Sequence, residues 1–332
     1  MTEWNQFAVL SVNDLAFRLG FRRRELERIA SLAGRFYRPF DRKRTTTDAK
    51  WRHIDNPVEE LKVVQSRILS RLWATLPFPE TVVGGRKGRS IKTNAGFHLE
   101  QEALATIDLR DCFPSTNEHR VFDALRSILG CSTDVAILLT KLTTFQARLP
   151  QGAPTSGTLM NLVLLPLHLR LLELATSRGL CFSAYVDDLA FSGPRDQAEA
   201  IIPLAIQTVN LFGFRVGSKK VSFMPREVRQ KLTGTVTNSR LSVGRERVAG
   251  VRERVHRLAE RPFLDGRELA SVWGSIRQIA SINQVQGSYL ERLAQRLLPK
   301  SVEGRSSRPD GLVRRCNSFN RDHKELNIES IA

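Results

Sequence analysis

The alternation of apolar and polar residues along the chain predicts short strands set among longer helices. Apolar side chains recur at helical spacing over residues 57–72, and residues 156–176 are mostly apolar over the length of a long helix. Shorter apolar runs at 103–107 and 181–185 predict strands. Residues 244–298 return to helical spacing. Strands mixed with helices, followed by helices alone, predict an α+β core and a helical domain after it.

The same pattern divides the chain into three predicted parts. Residues 1–236 would form the mixed core, 237–300 the helical domain and 301–332 a polar, basic tail. Within the core, the segment up to about Phe40 is basic and is predicted to be helical. The chain has 332 residues, of which 41% are hydrophobic. It can therefore bury a core, which excludes disorder along its whole length.

An excess of positive charge indicates a polyanionic partner. Lysine and arginine number 51 against 34 acidic residues, a formal net charge of +17, and such side chains displace the counterions condensed on nucleic-acid phosphates. Attraction to a membrane surface is the rival interpretation. A membrane span is not expected, because the longest apolar stretch, residues 159–172, includes Asn161, Pro166, His168 and Arg170. We therefore expect nucleic acid and no membrane.

The cysteines and the first residues favour a cytoplasmic protein. The four cysteines lie far apart with no CxxC pair, so neither a disulfide framework nor a structural zinc site is expected. The chain begins Met-Thr-Glu-Trp, with an acid and no apolar segment, so no signal peptide is expected.

Carboxylates stand where two of the predicted strands end. Asp108 follows the first of these strands, and Asp187 with Asp188 forms the tip of a predicted hairpin. Acids at strand ends can meet at one edge of a sheet, where they could hold two divalent cations for phosphoryl transfer. Adjacent aspartates are also ordinary turn residues. For the pair at 187–188 taken alone, the turn is the preferred interpretation.

Four short motifs change that balance, because together and in this order they resemble those of reverse transcriptases. The match spans roughly residues 50–240. It implies a right-hand polymerase fold, in which fingers and palm combine an antiparallel sheet with helices and a helical thumb follows. The motifs are the first palm motif at 107–115 (IDLRDCFPS), the QGxPxS segment at 149–156 (LPQGAPTS), the YxDD box at 185–188 (YVDD) and the lysine-bearing motif at 217–221 (GSKKV).

Two further motifs resemble those of bacterial retron reverse transcriptases. Residues 94–98 (NAGFH) are similar to the NAxxH box of that group, and residues 232–234 (LTG) stand where the group carries Val-Thr-Gly. The departures from the pattern are Leu232 for Val, Val186 where Ala is usual, and Gly157 where a second Pro is common. Each is a small exchange that leaves the acids unchanged.

The resemblance implies that the three carboxylates bind metal. Asp108, Asp187 and Asp188 would hold two Mg²⁺ ions, since clustered carboxylates repel each other unless cations neutralise them. Lys220 would protonate or neutralise the leaving pyrophosphate, with Lys219 as its competitor for that role.

The resemblance also implies contacts to the incoming nucleotide. Phe113 would be a steric gate that excludes a ribose 2′-OH, Arg52 would grip the triphosphate, and Gln151 with Gly152 would lie against the nucleotide or a template base. The structural alternatives are a core phenylalanine, a solvated arginine and a turn that precedes a helix.

Nucleic-acid contacts are expected at two further places. Asn94 and His98 would help a loop to contact the RNA or would brace the fold, and direct catalysis by His98 is not expected. After residue 245, apolar residues at helical spacing form one stripe. In a polymerase thumb the arginines beside it would face the backbone of a duplex, and the alternative is a solvated basic face. These arginines are Arg247, Arg254, Arg257 and Arg261.

In sum, the resemblance implies the RNA-directed DNA polymerase of a bacterial retron. It would copy a cognate structured non-coding RNA from dNTPs, beginning at the 2′-OH of a guanosine in that RNA, and so make branched msDNA. An accessory effector protein and a role in defence against phage are part of this expectation. The alternatives are another stand-alone bacterial reverse transcriptase, of a defence or diversity-generating system, and a non-catalytic RNA-binding protein on a polymerase-like palm.

Overall fold

The computed structural model describes residues 2–43, 51–261, 263–298 and 312–314. The chain folds as two compact units, Met1–Leu241 and Ser242–Ala332, where the sequence predicted a boundary after residue 236. Of the predicted tail at 301–332, only residues 312–314 are among those described.

The first unit mixes helices and strands. Its helices are α1 (Thr2–Asn5), α2 (Val12–Leu19), α3 (Arg23–Ser31), α4 (Glu59–Arg67), α5 (Ile91–Gly96), α6 (Cys112–Ser115), α7 (Glu118–Ser127), α8 (Thr133–Thr143), α9 (Ser156–Thr176) and α10 (Arg195–Leu211), with a 3₁₀ turn at Ala33–Phe36 and a π turn at Ile68–Leu72. Its strands are β1 (Tyr37–Lys43), β2 (Trp51–Pro57), β3 (Ala103–Leu109), β4 (Cys181–Tyr185), β5 (Asp188–Gly193), β6 (Val216–Pro225), β7 (Lys231–Leu232) and β8 (Thr235–Val236).

The second unit is mainly helical, as its sequence pattern predicted. Its elements are β9 (Ser242–Val243), α11 (Arg245–Glu260), β10 (Phe263–Asp265), α12 (Gly266–Ile282), α13 (Gln284–Leu297) and β11 (Leu312–Arg314). The stripe predicted on α11 is buried at Val251, Val255 and Leu258, and β10 pairs antiparallel with β11.

An antiparallel four-stranded sheet forms the centre of the first unit, in the order β4-β5-β3-β6. Because side chains alternate along a strand, β3 sends Ala105 and Ile107 into the main hydrophobic core, which α9 and α10 also line. On the opposite face, Leu104 and Ala190 pack against Leu232, and α5 contacts β4 and β8. This second face is the one that carries Asp108.

Helix α9 is the most apolar helix of the core. Among the described residues it is the one helix long and apolar enough to cross a membrane by length and composition, and 61% of its most apolar window is buried inside the protein. That burial is typical of a core helix, because a globular domain covers such a helix with its own elements.

The N-terminal region differs from its sequence prediction at its end. Helices α2 and α3 form as expected, but the chain turns into a strand at Tyr37 instead of staying helical to Phe40. The reason is tertiary: β1 pairs antiparallel with β2, with Phe40 opposite Ile54 and Arg42 opposite Arg52. Pairing with a distant segment overrides local helical spacing.

The segment of Val83 and Gly84 lies directly against the β4–β5 turn. The amide of Val83 donates to the carbonyl of Ala184 (2.8 Å), and the side chain of Asn161 donates to the carbonyl of Gly84 (2.6 Å). A Cβ on Gly84 would lie 2.6 Å from the backbone nitrogen of Val186. Glycine is therefore required at position 84 by close backbone approach.

We predict that Gly84→Ala destabilises the protein by about 1–3 kcal/mol, because the added methyl group must displace backbone atoms of the turn. Thermal unfolding measures this effect. Gly34→Ala is the matched control, since Gly34 is exposed and no heavy atom lies within 4 Å of its added Cβ. Equal melting temperatures for the two variants would contradict the tight packing of the turn.

Candidate active site

Strand pairing brings the three predicted carboxylates to one edge of the sheet. Asp108 on β3 stands directly opposite Asp188 on β5. Asp187 lies in the two-residue turn between β4 and β5, and its carbonyl accepts a hydrogen bond from the amide of Leu109 (3.0 Å). The turn is therefore tied to the end of β3, and all three aspartates meet there.

The turn itself contains a strained residue. Val186 has φ 61°, a left-handed conformation that β-branched residues rarely adopt. The backbone of Gly84 lies directly against this residue. The surrounding structure therefore maintains a conformation that the valine would not choose by itself.

Burial and mutual repulsion raise the pKa of the acids. Burial is the main cause that raises the pKa of Asp188 to about 7, and the charges of Asp187 and Asp108 add to it. Burial likewise raises the pKa of Asp187, against which the positive charges of Lys220 and Arg52 act. A site that penalises negative charge in this way favours a bound cation.

The lysine of the motif on β6 provides part of that positive charge. The Nζ atom of Lys220 contacts Oδ1 of Asp108. This contact brings Lys220 to the acid cluster, whereas the side chain of its competitor, Lys219, lies outside the described parts of the structure.

The acid cluster fits hard divalent cations by the chemistry of its donors. Carboxylate oxygens are the ligands that Mg²⁺ prefers, and a cationic nitrogen already lies against one of them. Within the described ranges, no group of three or more His, Cys, Asp or Glu side chains is arranged as a metal site. Binding of Mg²⁺ by these acids therefore stays a prediction, and substrate phosphates commonly complete the coordination of Mg²⁺.

The QGxPxS segment is joined to the β1–β2 ribbon. Asp55 and Gln151 are joined by two hydrogen bonds. The backbone amide of Asp55 donates to the Gln151 carbonyl (2.8 Å), and the backbone amide of Gln151 donates to the side-chain Oδ2 of Asp55 (3.2 Å). With its side-chain amide oriented to satisfy both neighbours, Gln151 accepts from Nε of Arg52 (3.1 Å) and donates to the carbonyl of His53 (3.2 Å). Arg52 and Gln151 are therefore held side by side.

Gly152 is required for this junction. Its φ is +128°, and a Cβ there would lie 2.8 Å from Cγ2 of Ile54. The glycine therefore allows the QGxPxS segment to approach β2 closely. The contact of Gly152 with a nucleotide stays a prediction.

Phe113 has features of both interpretations that the sequence left open. It is the second residue of the short helix α6, and the residue before that helix, Asp111, has φ 46°. Its side chain is half-buried and packs against the main core. One part of the ring is therefore supported by the core while another part stays accessible, and the role as a gate stays a prediction.

The structure corrects the expectation that Asn94 and His98 contact RNA. Both side chains are completely buried. The ring nitrogens of His98 lie 2.7 Å from Oγ of Ser192 and 2.7 Å from Oγ of Ser183. A side chain enclosed by the protein cannot touch an external ligand, so the geometry supports the bracing role.

Of the four arginines predicted to face a duplex, three make contacts within the second unit. Arg247 donates to Gln278 (2.7 Å), Arg254 donates to Ser271 (3.0 Å), and Arg261 forms an ion pair with Glu268. All three acceptors lie on α12. Arg247, Arg257 and Arg261 are exposed, and the contact of these arginines with a duplex stays a prediction.

Sequence reasoning missed several residues that build the site. Asp55 is almost fully buried, and its Oδ1 lies 3.3 Å from Nε2 of His53. Ser183 and Ser192 carry the contacts to His98, and Gly84 supports the turn. The adjacent glycines at 84–85 were the available signal for this support of the turn.

Comparisons with known proteins agree with this arrangement. The family described as reverse transcriptase (RNA-dependent DNA polymerase) matches residues 42–234. The chain is 34% identical to the retron Mx65 reverse transcriptase of Myxococcus xanthus over 270 residues, which cover 76% of this chain and 62% of that protein. It is 32% identical to the retron Ec86 reverse transcriptase of Escherichia coli over 231 residues, covering 67% of this chain and 70% of that protein.

Among solved structures, the chain is similar to a foamy viral protease-reverse transcriptase in complex with double-stranded DNA. The TM-score is 0.44 at 17% identity, over 78% of this chain and 42% of that chain. The family match and the retron relatives carry the assignment, and this structural likeness adds no argument to it.

The raised pKa of Asp188 predicts a pH-dependent stability in the absence of divalent cations. The folded protein keeps this proton up to about pH 7, whereas the unfolded chain loses it near pH 4. Between these values the folded state binds more protons, so stability falls as pH rises. We expect Asp188→Asn to raise the melting temperature at pH 8 by roughly 3 °C or more and by clearly less at pH 5.

Thermal unfolding in EDTA at both pH values measures this difference. Asp123→Asn is the control, because Asp123 is an exposed carboxylate on α7. A gain for Asp188→Asn that is equal at pH 5 and pH 8 would show that charge repulsion is not its source.

Proposed function

This chain belongs to the reverse transcriptase (RNA-dependent DNA polymerase) family, and we propose that it is the RNA-directed DNA polymerase of a retron. The chain spans 62% and 70% of the length of the two retron relatives described above, so the activity of the whole protein is part of this proposal. The observation that carries it is the register of the central sheet, which sets Asp108 opposite Asp188 with Asp187 in the adjoining turn.

This geometry supports nucleotidyl transfer. A primer hydroxyl attacks the α-phosphate of a dNTP, the bond to the β-phosphate breaks, and pyrophosphate leaves. Mg²⁺ held by the three carboxylates would supply the positive charge that stabilises the attacking and leaving oxygens. The acids would hold that charge at the ends of β3 and β5.

Two basic side chains act on the phosphates in this proposal. Lys220, beside Asp108, is placed to give a proton or positive charge to the leaving pyrophosphate. Arg52 is near enough to the cluster for its charge to lower the pKa of Asp187, and Gln151 fixes its Nε. Its free guanidinium nitrogens would bind the triphosphate, since a guanidinium fork matches phosphate oxygens.

The template and primer in this proposal are one structured non-coding RNA. Synthesis would begin at the 2′-OH of a guanosine and leave the DNA joined to the RNA as branched msDNA. The support is the retron names of the relatives, the two motifs at 94–98 and 232–234, and the net charge of +17. A cytoplasmic location in bacteria, an accessory effector and a role in phage defence complete the proposal.

We predict that Asp187→Asn abolishes DNA synthesis and leaves RNA affinity within a few-fold. Asn keeps the shape of the side chain but lacks the charge that holds Mg²⁺. Nucleic acid that co-purifies with the wild-type chain should contain DNA branched from RNA, whereas the variant should carry the RNA alone. Sequencing before and after RNase and DNase treatment measures both.

Asp123→Asn serves as the matched control, being the same exchange at an exposed position of α7. Primer extension by Asp187→Asn at a near-normal rate would refute the assignment of the acids. Co-purified DNA with no covalent link to RNA would refute the retron part while leaving polymerisation intact.

A second prediction concerns the choice of sugar. If the half-buried ring of Phe113 blocks a 2′-OH, Phe113→Val should increase kcat/KM for ribonucleotides relative to deoxynucleotides, because the smaller side chain leaves room for the hydroxyl. Steady-state extension with each nucleotide class gives this ratio. An active variant with an unchanged ratio would make Phe113 a core residue only.

A further inference from the structure

Buried polar side chains form a continuous series of hydrogen bonds on the face of the sheet that carries Asp108 and Asp188. His98 lies between Ser192 on β5 and Ser183 on β4, at 2.7 Å from each hydroxyl. Ser183 in turn donates to Oδ1 of Asn94 (2.8 Å), and Nδ2 of Asn94 lies 3.5 Å from Oγ1 of Thr233. These hydrogen bonds therefore connect the motif at 94–98 with the motif at 232–234.

The donor and the acceptor of each hydrogen bond in this series can be assigned. Because Ser183 gives its only hydroxyl hydrogen to Asn94, it must accept from Nε2 of His98. A neutral imidazole that donates from Nε2 accepts at Nδ1, so Ser192 donates there. Burial lowers the pKa of His98 to about 3, which keeps the ring neutral and this pattern intact.

These hydrogen bonds connect to β4 and β5, the two strands that flank the turn with Asp187. Ser183 stands two residues before Tyr185, which pairs with Asp188, and Ser192 stands four residues after Asp188. By the alternation of side chains, Asp188 and Ser192 share one face of β5. A change in how β4 lies against β5 would thus move the turn that contains Asp187.

A second buried histidine shows what the first one adds. His168 on α9 is also almost fully buried and its pKa is likewise lowered by burial. Both of its ring nitrogens, however, have no hydrogen-bond partner in the described structure. His168 therefore fills space near Phe182, whereas His98 makes two directional contacts to two different strands.

We propose that His98 is a positioning residue, which fixes β4 to β5 through Ser183 and Ser192 and thereby sets the distance of Asp187 and Asp188 from Asp108. Asn94 extends the same link to the turn at Thr233, a residue with φ 46°. This inference rests on the proposed function for its consequence, since the acids are positioned there to bind divalent cations.

The test compares His98→Leu with His168→Leu, the same exchange at two buried histidines. Mn²⁺ is the probe, and its binding is titrated by electron paramagnetic resonance on the full chain without nucleotide. Misplaced ligands bind a metal less tightly, so His98→Leu should raise the half-saturating Mn²⁺ concentration about tenfold, as losses around metal ligands do. His168→Leu should leave it unchanged.

Two smaller exchanges keep the test decisive if His98→Leu does not fold. Ser192→Ala removes one contact to the ring and should shift the half-saturating Mn²⁺ concentration in the same direction by a smaller factor. His98→Gln keeps an amide that can donate to Ser183 and should recover part of the loss.

Single-turnover extension on the same proteins provides the second readout. Displaced acids should lower the rate per active site and leave the KM for dNTP unchanged, whereas a merely unstable protein would lose active molecules without a change in either quantity. Equal effects of the two leucine variants, or an unchanged Mn²⁺ affinity in folded His98→Leu, would overturn the inference. A wild-type chain that binds Mn²⁺ in a His98-dependent way but extends no primer would refute the proposed function alone.

Discussion

Repulsion among three neighbouring carboxylates is the constraint on which the rest of the first unit depends. Strand pairing forces Asp108 to face Asp188, and the partial burial of the cluster raises the cost of their charges. Without opposing forces, the end of the sheet would open. The backbone bond from Leu109 to the turn, the glycine contact behind Val186 and the ammonium of Lys220 all oppose that opening.

Elements defined by local pattern could be predicted, whereas contacts between distant segments could not. Residues 156–176 form α9 as predicted, because their apolar content alone requires a buried helix. The β4–β5 hairpin also follows from alternation around a short turn. Gly85 and Gly157 show the limit: a Cβ on Gly85 would lie 3.0 Å from the backbone carbon of Gly157, yet neither position indicates the other in the sequence.

Motifs identified which residues belong to the site more reliably than how they act. The resemblance implied that Asn94 and His98 either help to contact RNA or brace the fold, and both are buried in a hydrogen-bonded cluster. Helical spacing likewise located the arginines of α11 beside the apolar stripe. It could not show that Gln278, Ser271 and Glu268 on α12 accept their hydrogen bonds, because periodicity defines a face and not its neighbour.

The buried chain of polar side chains explains how a strained turn can remain in one conformation. Apolar contacts are non-directional, whereas a hydrogen bond weakens steeply when its geometry changes. In a buried site, an unmade bond also leaves a desolvated polar atom. His98 makes such bonds to β4 and β5 at once. Any displacement of these strands that relaxed Val186 or separated the aspartates would therefore break contacts that no water could replace.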